Sequence, residues 1–143
     1  TMDQHENIQI SKHIDPDLNL VMADADQLQR VFLNLANNAQ EAMPDGGQLT
    51  ITTQGQNGHV EVAFTDTGSG ISDENIEKIF DPLFTTKTKG TGLGLAVCHE
   101  IVTRHGGTIE ASRNPEPKCG STFAVKLPVA SYEAQSEGEQ ENG

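Results

Sequence analysis

The chain of 143 residues is about one domain's length, enough to bury a two-layer core, although only 4% of it is aromatic and it has no tryptophan. A formal charge of -12 and a pI near 4.6 exclude a nucleic-acid surface and an anionic membrane surface, because polyanions would be repelled at long range. No apolar run approaches the roughly eighteen residues of a membrane span, and Cys98 and Cys119 have neither CxxC spacing nor a histidine partner. A zinc site or disulfide framework is therefore not expected, and reduced thiols in a cytoplasm fit better.

The opening Thr1-Met2 reads as a cut, so the chain is expected to be a piece of a longer protein. At the other end, residues 131–143 hold Glu133, Glu137, Glu139 and Glu141 and no basic residue. That stretch is expected to be a disordered, solubilising tail, with a partner-binding segment as the alternative. Residues 1–130 are left as the folded domain.

In chain order, Ile8, Ile10 and Ile14 alternate with polar residues, and a second extended run, 18–22, follows the Asp15-Pro16-Asp17 turn; both predict strands. The period then changes. Asp24 is an N-cap, with Leu28, Val31, Phe32, Leu35, Ala39 and Ala42 at three- and four-residue steps until Pro44-Asp45-Gly46-Gly47, which predicts a helix of nearly five turns. Residues 49–53 and 60–64 flank Gly55-Gln56-Asn57-Gly58 and predict an antiparallel hairpin. Ser72-Asp73-Glu74 caps a short helix carrying Ile76 and Ile79, and 80–92 is a long loop without a period. Residues 93–105 predict a helix ending at Gly106-Gly107, and two strands follow at 108–113 and 122–127. The pattern is that of an α/β two-layer sandwich with its helices on one sheet face.

Three constellations on these elements could carry chemistry. Asn34 and Asn38 stand one turn apart on the first helix, one position off its apolar stripe, where two amides could meet metal and phosphate; solvent exposure or capping would also account for them. Asp66-Thr67-Gly68-Ser69-Gly70-Ile71 ends a strand, so its carboxylate could accept from the exocyclic amine of adenine, or simply close a turn. Gly90-Thr91-Gly92-Leu93-Gly94-Leu95 opens a helix whose free N–H groups and dipole favour phosphate, unless it is a flexible linker. It is neither a dinucleotide fingerprint, since no βαβ unit surrounds it, nor a P-loop. Lys87 and Lys89, two of only nine cationic side chains, fall within five residues of it.

In that order these residues resemble the ATP-binding catalytic domain of bacterial sensor histidine kinases, in the superfamily shared with gyrase-type ATPases. Asn34-Leu35-Ala36-Asn37-Asn38-Ala39 resembles the asparagine box, Asp66 to Ile71 the first glycine box, Phe80-Asp81-Pro82-Leu83-Phe84-Thr85-Thr86-Lys87 the phenylalanine box, and Gly90 to Leu95 the second glycine box. Gly120-Ser121-Thr122 resembles a weaker box closing the adenine pocket. The resemblance covers roughly residues 19–129. Glu41-Ala42-Met43 and the short Thr85-Thr86-Lys87 resemble the nitrogen-regulation and oxygen-sensing branch.

The resemblance implies a Bergerat-type fold, a mixed, mostly antiparallel sheet with helices on one face, and it implies ATP and Mg²⁺ as cofactors. Asn38 would ligate Mg²⁺, with Asn34 adding a hydrogen bond nearby; Asp66 would read adenine between Ile71 and Leu95, with Thr122 assisting. Gly68 and Gly70 would shape the turn, and Gly90, Thr91, Gly92, Leu93 and Gly94 would approach the phosphates. Phe80 would begin the ATP lid, 80–91, in which Lys87 would neutralise the γ-phosphoryl as it transfers.

Two departures sharpen this reading. Gyrase-like relatives place a water-activating Glu where this chain has Asn34, so spontaneous hydrolysis should be slow. Glu41 stands where many members carry a cation, which shifts phosphate contact onto Lys87. His5, His13, His59, His99 and His105 all lack an HExxxP-like context, so the acceptor histidine is expected on a separate dimerisation domain, in a protein that is a homodimer as a whole and addresses a response regulator. The domain itself is expected to be cytoplasmic, without nucleic-acid or membrane contact, even if the whole protein is membrane-anchored. The competing readings are a non-catalytic ATP-sensing module and a serine-directed kinase of the anti-sigma type.

Overall fold

Five strands form one sheet in the order β1-β2-β3-β5-β4: β1 (Ile8–His13), β2 (Gly47–Gln56), β3 (His59–Asp66), β4 (Thr108–Arg113) and β5 (Ser121–Pro128). These come from a computed structural model that describes residues 7–18, 21–81, 94–115 and 119–129. The ladder is parallel between β1 and β2 and antiparallel elsewhere. Such a parallel pair needs a crossover, which α1 (Ala25–Glu41) supplies. The two-layer α/β sandwich with a mixed, mostly antiparallel sheet is the expected architecture.

Local chemistry accounts for most boundaries. Asp24 accepts from the Gln27 N–H at 3.2 Å and caps α1; Ser72 does the same for Asn75 at the one-turn α2 (Asp73–Ile76). The hairpin turn is tighter than the sequence suggests. Asn57 (φ 40) and Gly58 (φ 83) alone reverse the chain, both in the left-handed region, and Gln56 pairs with His59, as in a type I′ turn. At the end of α3 (Gly94–Arg104), the Gly107 N–H reaches Val102 O at 3.0 Å and the Gly106 N–H reaches Thr103 O at 2.9 Å, a Schellman closure with Gly106 at φ +78.

The strand expected over 18–22 is not found among the described residues of that run. In the Asp15-Pro16-Asp17 turn the Asp17 N–H bonds the Asp15 carboxylate at 2.9 Å. Val21 packs on the core, and the Asp24 N–H donates to His105 Nε2 at 3.1 Å. The 131–143 tail and most of the 80–92 loop lie outside the described residues.

Between the layers, Val31, Leu35 and Ala39 of α1 and Cys98, Ile101 and Val102 of α3 meet Leu49, Phe64, Ile109, Phe123, Val125 and Leu127 of the sheet. Each large side chain buried there contributes about 1.5–3 kcal/mol. On α3, Cys98 and Val102 are fully buried, and the helix also packs against α1, where the Cys98 thiol meets Val31 O at 3.7 Å.

Candidate functional site

At the end of β3 the core stops being apolar. Among the described residues the buried polar side chains are Asp66, 1% exposed, and Ser121, 3% exposed, and they touch. Asp66 Oδ1 accepts from the Gly68 N–H at 2.9 Å and the Ser121 N–H at 3.2 Å; Oδ2 accepts from Ser121 Oγ at 3.2 Å. Burying a carboxylate is costly unless it is hydrogen-bonded, and these three donors meet that demand.

Glycines make the approach possible. A Cβ on Gly68 would stand 2.3 Å from Ala42 O, so the turn after β3 can lie against the end of α1, where the Ser69 N–H also bonds Ala42 O at 3.2 Å. A Cβ on Gly120 would stand 2.0 Å from Asp66 O, and Gly70, at φ +81, faces Gly120. The Asp66 turn, the C-terminal end of α1 and the β4–β5 connection therefore converge on one point.

Asn34 and Asn38 lie half-buried along the rim of α1, one position from its core stripe. Asn34 faces the start of α3: a Cβ on Gly94 would be 3.9 Å from its carboxamide, and the same amide hydrogen-bonds Cys98. Burial pushes the Cys98 thiol up, against smaller opposing pulls from that Asn34 bond and the Arg30 charge. Ile71 and Leu95 are partly buried against the core.

Two further expected residues have protein partners of their own. The Phe80 ring packs on His99 (5.6 Å) and edge-on to Phe123 (6.4 Å), joining the core. Thr122 follows Ser121 in β5, and strand alternation turns it to the opposite sheet face, where it bonds Thr65 at 3.0 Å and Asn114 at 2.7 Å. Ser121, not Thr122, is the hydroxyl on Asp66; a period-2 reading of the buried Phe123, Val125 and Leu127 would have found it. Asn114, which donates to Asp66 O at 2.8 Å, belongs to no motif. Lys87, Gly90, Thr91, Gly92 and Leu93 lie outside the described residues.

Residues 23–131 match the profile of the histidine kinase-, DNA gyrase B-, and HSP90-like ATPase family. The sensor histidine kinase ZraS of Escherichia coli is 47% identical over 109 residues, covering 76% of this chain and 23% of ZraS. Sensor protein FixL of Bradyrhizobium diazoefficiens is 39% identical over 130 residues, 89% of this chain and 25% of FixL. The chain thus spans about a quarter of the length of these relatives. Among solved structures, the nucleotide-free catalytic domain of histidine kinase ThkA superposes with a TM-score of 0.78 at 36% identity, covering 87% of this chain and 81% of that one. ThkA is also solved in complex with the response regulator protein TrrA. The chain belongs to the histidine kinase-, DNA gyrase B- and HSP90-like ATPase family, as an ATPase catalytic domain homologous to sensor histidine kinases.

Proposed function

We propose that this domain binds Mg-ATP and donates its γ-phosphoryl to a histidine on a dimerisation domain of the same protein. The observation that carries this is the buried Asp66 carboxylate, held by three neutral donors at a sheet end whose turn lies against the C-terminal end of α1, the helix that carries Asn34 and Asn38. A carboxylate so oriented accepts from an exocyclic amine, which adenine presents and guanine places differently. Ile71 and Leu95 give the base apolar faces.

The donor set at the other end suits magnesium. Among the described residues no three His, Cys, Asp or Glu side chains gather. A cation there would rely on an amide oxygen, phosphate oxygens and water, which Mg²⁺ accepts and zinc does not. Asn38 would hold it, and its charge would offset that of the phosphates. Asn34 hydrogen-bonds near the phosphates and, having no base, leaves water unactivated. In transfer, the bond from the γ-phosphorus to the β–γ bridging oxygen breaks, a bond to the acceptor imidazole nitrogen forms, and ADP departs. Lys87 stabilises the charge on the moving group. The whole protein acts as a homodimer in the cytoplasm, with or without a membrane anchor, and passes its phosphoryl group to a response regulator.

Titrating the chain with Mg-ATP and supplying a matching dimerisation domain tests this. Asp66→Asn should weaken ATP binding about 10- to 100-fold, as expected for loss of a charge-assisted bond worth about 1.5–3 kcal/mol. Unchanged affinity refutes the adenine assignment. Tight binding without transfer to any histidine-bearing partner would favour a nucleotide sensor.

A further inference from the structure

Asn114, the residue after β4, spans three segments with one side chain. Its Nδ2 donates to Asp66 O and Cys119 O, each at 2.8 Å, and its Oδ1 accepts from Thr122 Oγ1 at 2.7 Å. Its own N–H donates to Gly120 O at 3.0 Å. Thr122 in turn shares a 3.0 Å bond with Thr65, the neighbour of Asp66. Thr122, on one side of Ser121, and the backbone of Asp66 are thereby tied to a single carboxamide, while Gly120, on the other side, is tied to the backbone N–H of the same residue.

That arrangement bears on the carboxylate, because Ser121 supplies two of its three donors. Both bonds are 3.2 Å long, near the upper end of useful length, so a small retreat of the β4–β5 connection would break them. The carbonyl that Asn114 holds, Asp66 O, is also the atom Gly120 approaches too closely to carry a side chain. Only a short planar amide offers two donors for carbonyls and an acceptor for a hydroxyl in this space; Asp has no donor when ionised, and Ser has one.

We propose that Asn114 is a positioning residue for nucleotide recognition, clamping Cys119, Gly120 and Thr122 to the Asp66 backbone so that the Ser121 N–H and hydroxyl orient its carboxylate. This rests on the reading of Asp66 as the adenine contact. Asn114 touches no substrate; it acts through Ser121 and Asp66. A plain loop staple would affect stability but would not couple to the carboxylate.

A double-mutant cycle in ATP affinity separates the two. Asn114→Ala should weaken Mg-ATP binding about tenfold in the otherwise unaltered chain, and by less than about twofold when Asp66 is already Asn, since the carboxylate it serves is gone. Equal losses in both backgrounds overturn the inference, as does full affinity in Asn114→Ala beside a weakened Asp66→Asn. Full affinity in Asp66→Asn would overturn the functional reading and this inference with it. If thermal unfolding shows Asn114→Ala to be unfolded, Asn114→Asp runs the same cycle. It conserves size and turns oxygens toward the two carbonyls, with the same outcomes expected and the same ones decisive against it.

Discussion

Gly120→Ala turns the close approach at Asp66 into a measurable cost. A Cβ there would lie 2.0 Å from Asp66 O and 2.9 Å from Thr67 Cα, whereas real Cβ contacts stay beyond 3.0 Å. The backbone must therefore retreat by at least about 1 Å, and Ser121 moves with it. Its two 3.2 Å bonds to the carboxylate would then exceed the roughly 3.5 Å at which such contacts cease to count. A non-glycine residue at φ +100 adds about 1–2 kcal/mol of backbone strain, and the lost bonds add about 1.5–3 kcal/mol. The expected total is about 3–5 kcal/mol, a large share of a domain's usual stability of about 5–15 kcal/mol. Urea unfolding reads this cost, and ATP titration should show at least about a tenfold loss of affinity. Gly55→Ala is the control. Its nearest neighbours would be 3.9 and 4.0 Å away, so it should change stability by less than about 1 kcal/mol. Gly120→Ala matching wild type in both stability and affinity would refute the account of the site.

Three further outcomes are expected. Leu35→Ala, at a residue 1% exposed between Val31 and Ala39, should cost about 2–5 kcal/mol in chemical denaturation; a loss under 1 kcal/mol would mean that the α1 stripe is not the core. The folded Cys98 thiol is raised by burial, so it stays protonated where an unfolded thiol ionises. Stability should be intact below the ordinary thiol value of about 8.5 and fall as pH rises past it, a decline that Cys98→Ala should abolish. Asn34→Glu places a base four residues before Asn38 and should raise phosphate release from Mg-ATP without an acceptor by at least about tenfold; an unchanged rate would remove the significance given to Asn34.

The parts of the fold legible in the sequence are those decided locally. Asn57-Gly58, the Asp24 and Ser72 caps and Gly106-Gly107 each act within a few residues, and the helical period over 28–42 needs no distant partner. The parallel pairing of β1 with β2 depends on which strand edge remains open, and nothing within those segments records that. The same division holds at the site. Asp66 and the asparagines stand in recognisable strings, but choosing between Ser121 and Thr122 requires strand register, where a one-residue shift exchanges the faces. Asn114 was not legible, since its value lies in a bond to a carbonyl 48 residues away.

If Asp66 reads adenine as proposed, its partners also bear on which end of a nucleotide would lie where. A carboxylate offers about four acceptor positions. Oδ1 uses two, for Gly68 and Ser121, while Oδ2 uses one, for the Ser121 hydroxyl, so the capacity left for a ligand amine is on Oδ2. Had a lysine or arginine oriented the group instead, its charge would have been largely neutralised and the ligand would compete with a strong pair. N–H and O–H donors hold the carboxylate without cancelling its pull on a donor. That same pull would repel phosphate, for which the proposal offers surroundings of the other polarity: the amides of Asn34 and Asn38 and the start of α3, where the helix dipole favours anions. On the proposed reading, base and triphosphate would thus be held apart by electrostatics as much as by shape, and a nucleotide entering in reverse would meet a carboxylate at its phosphates.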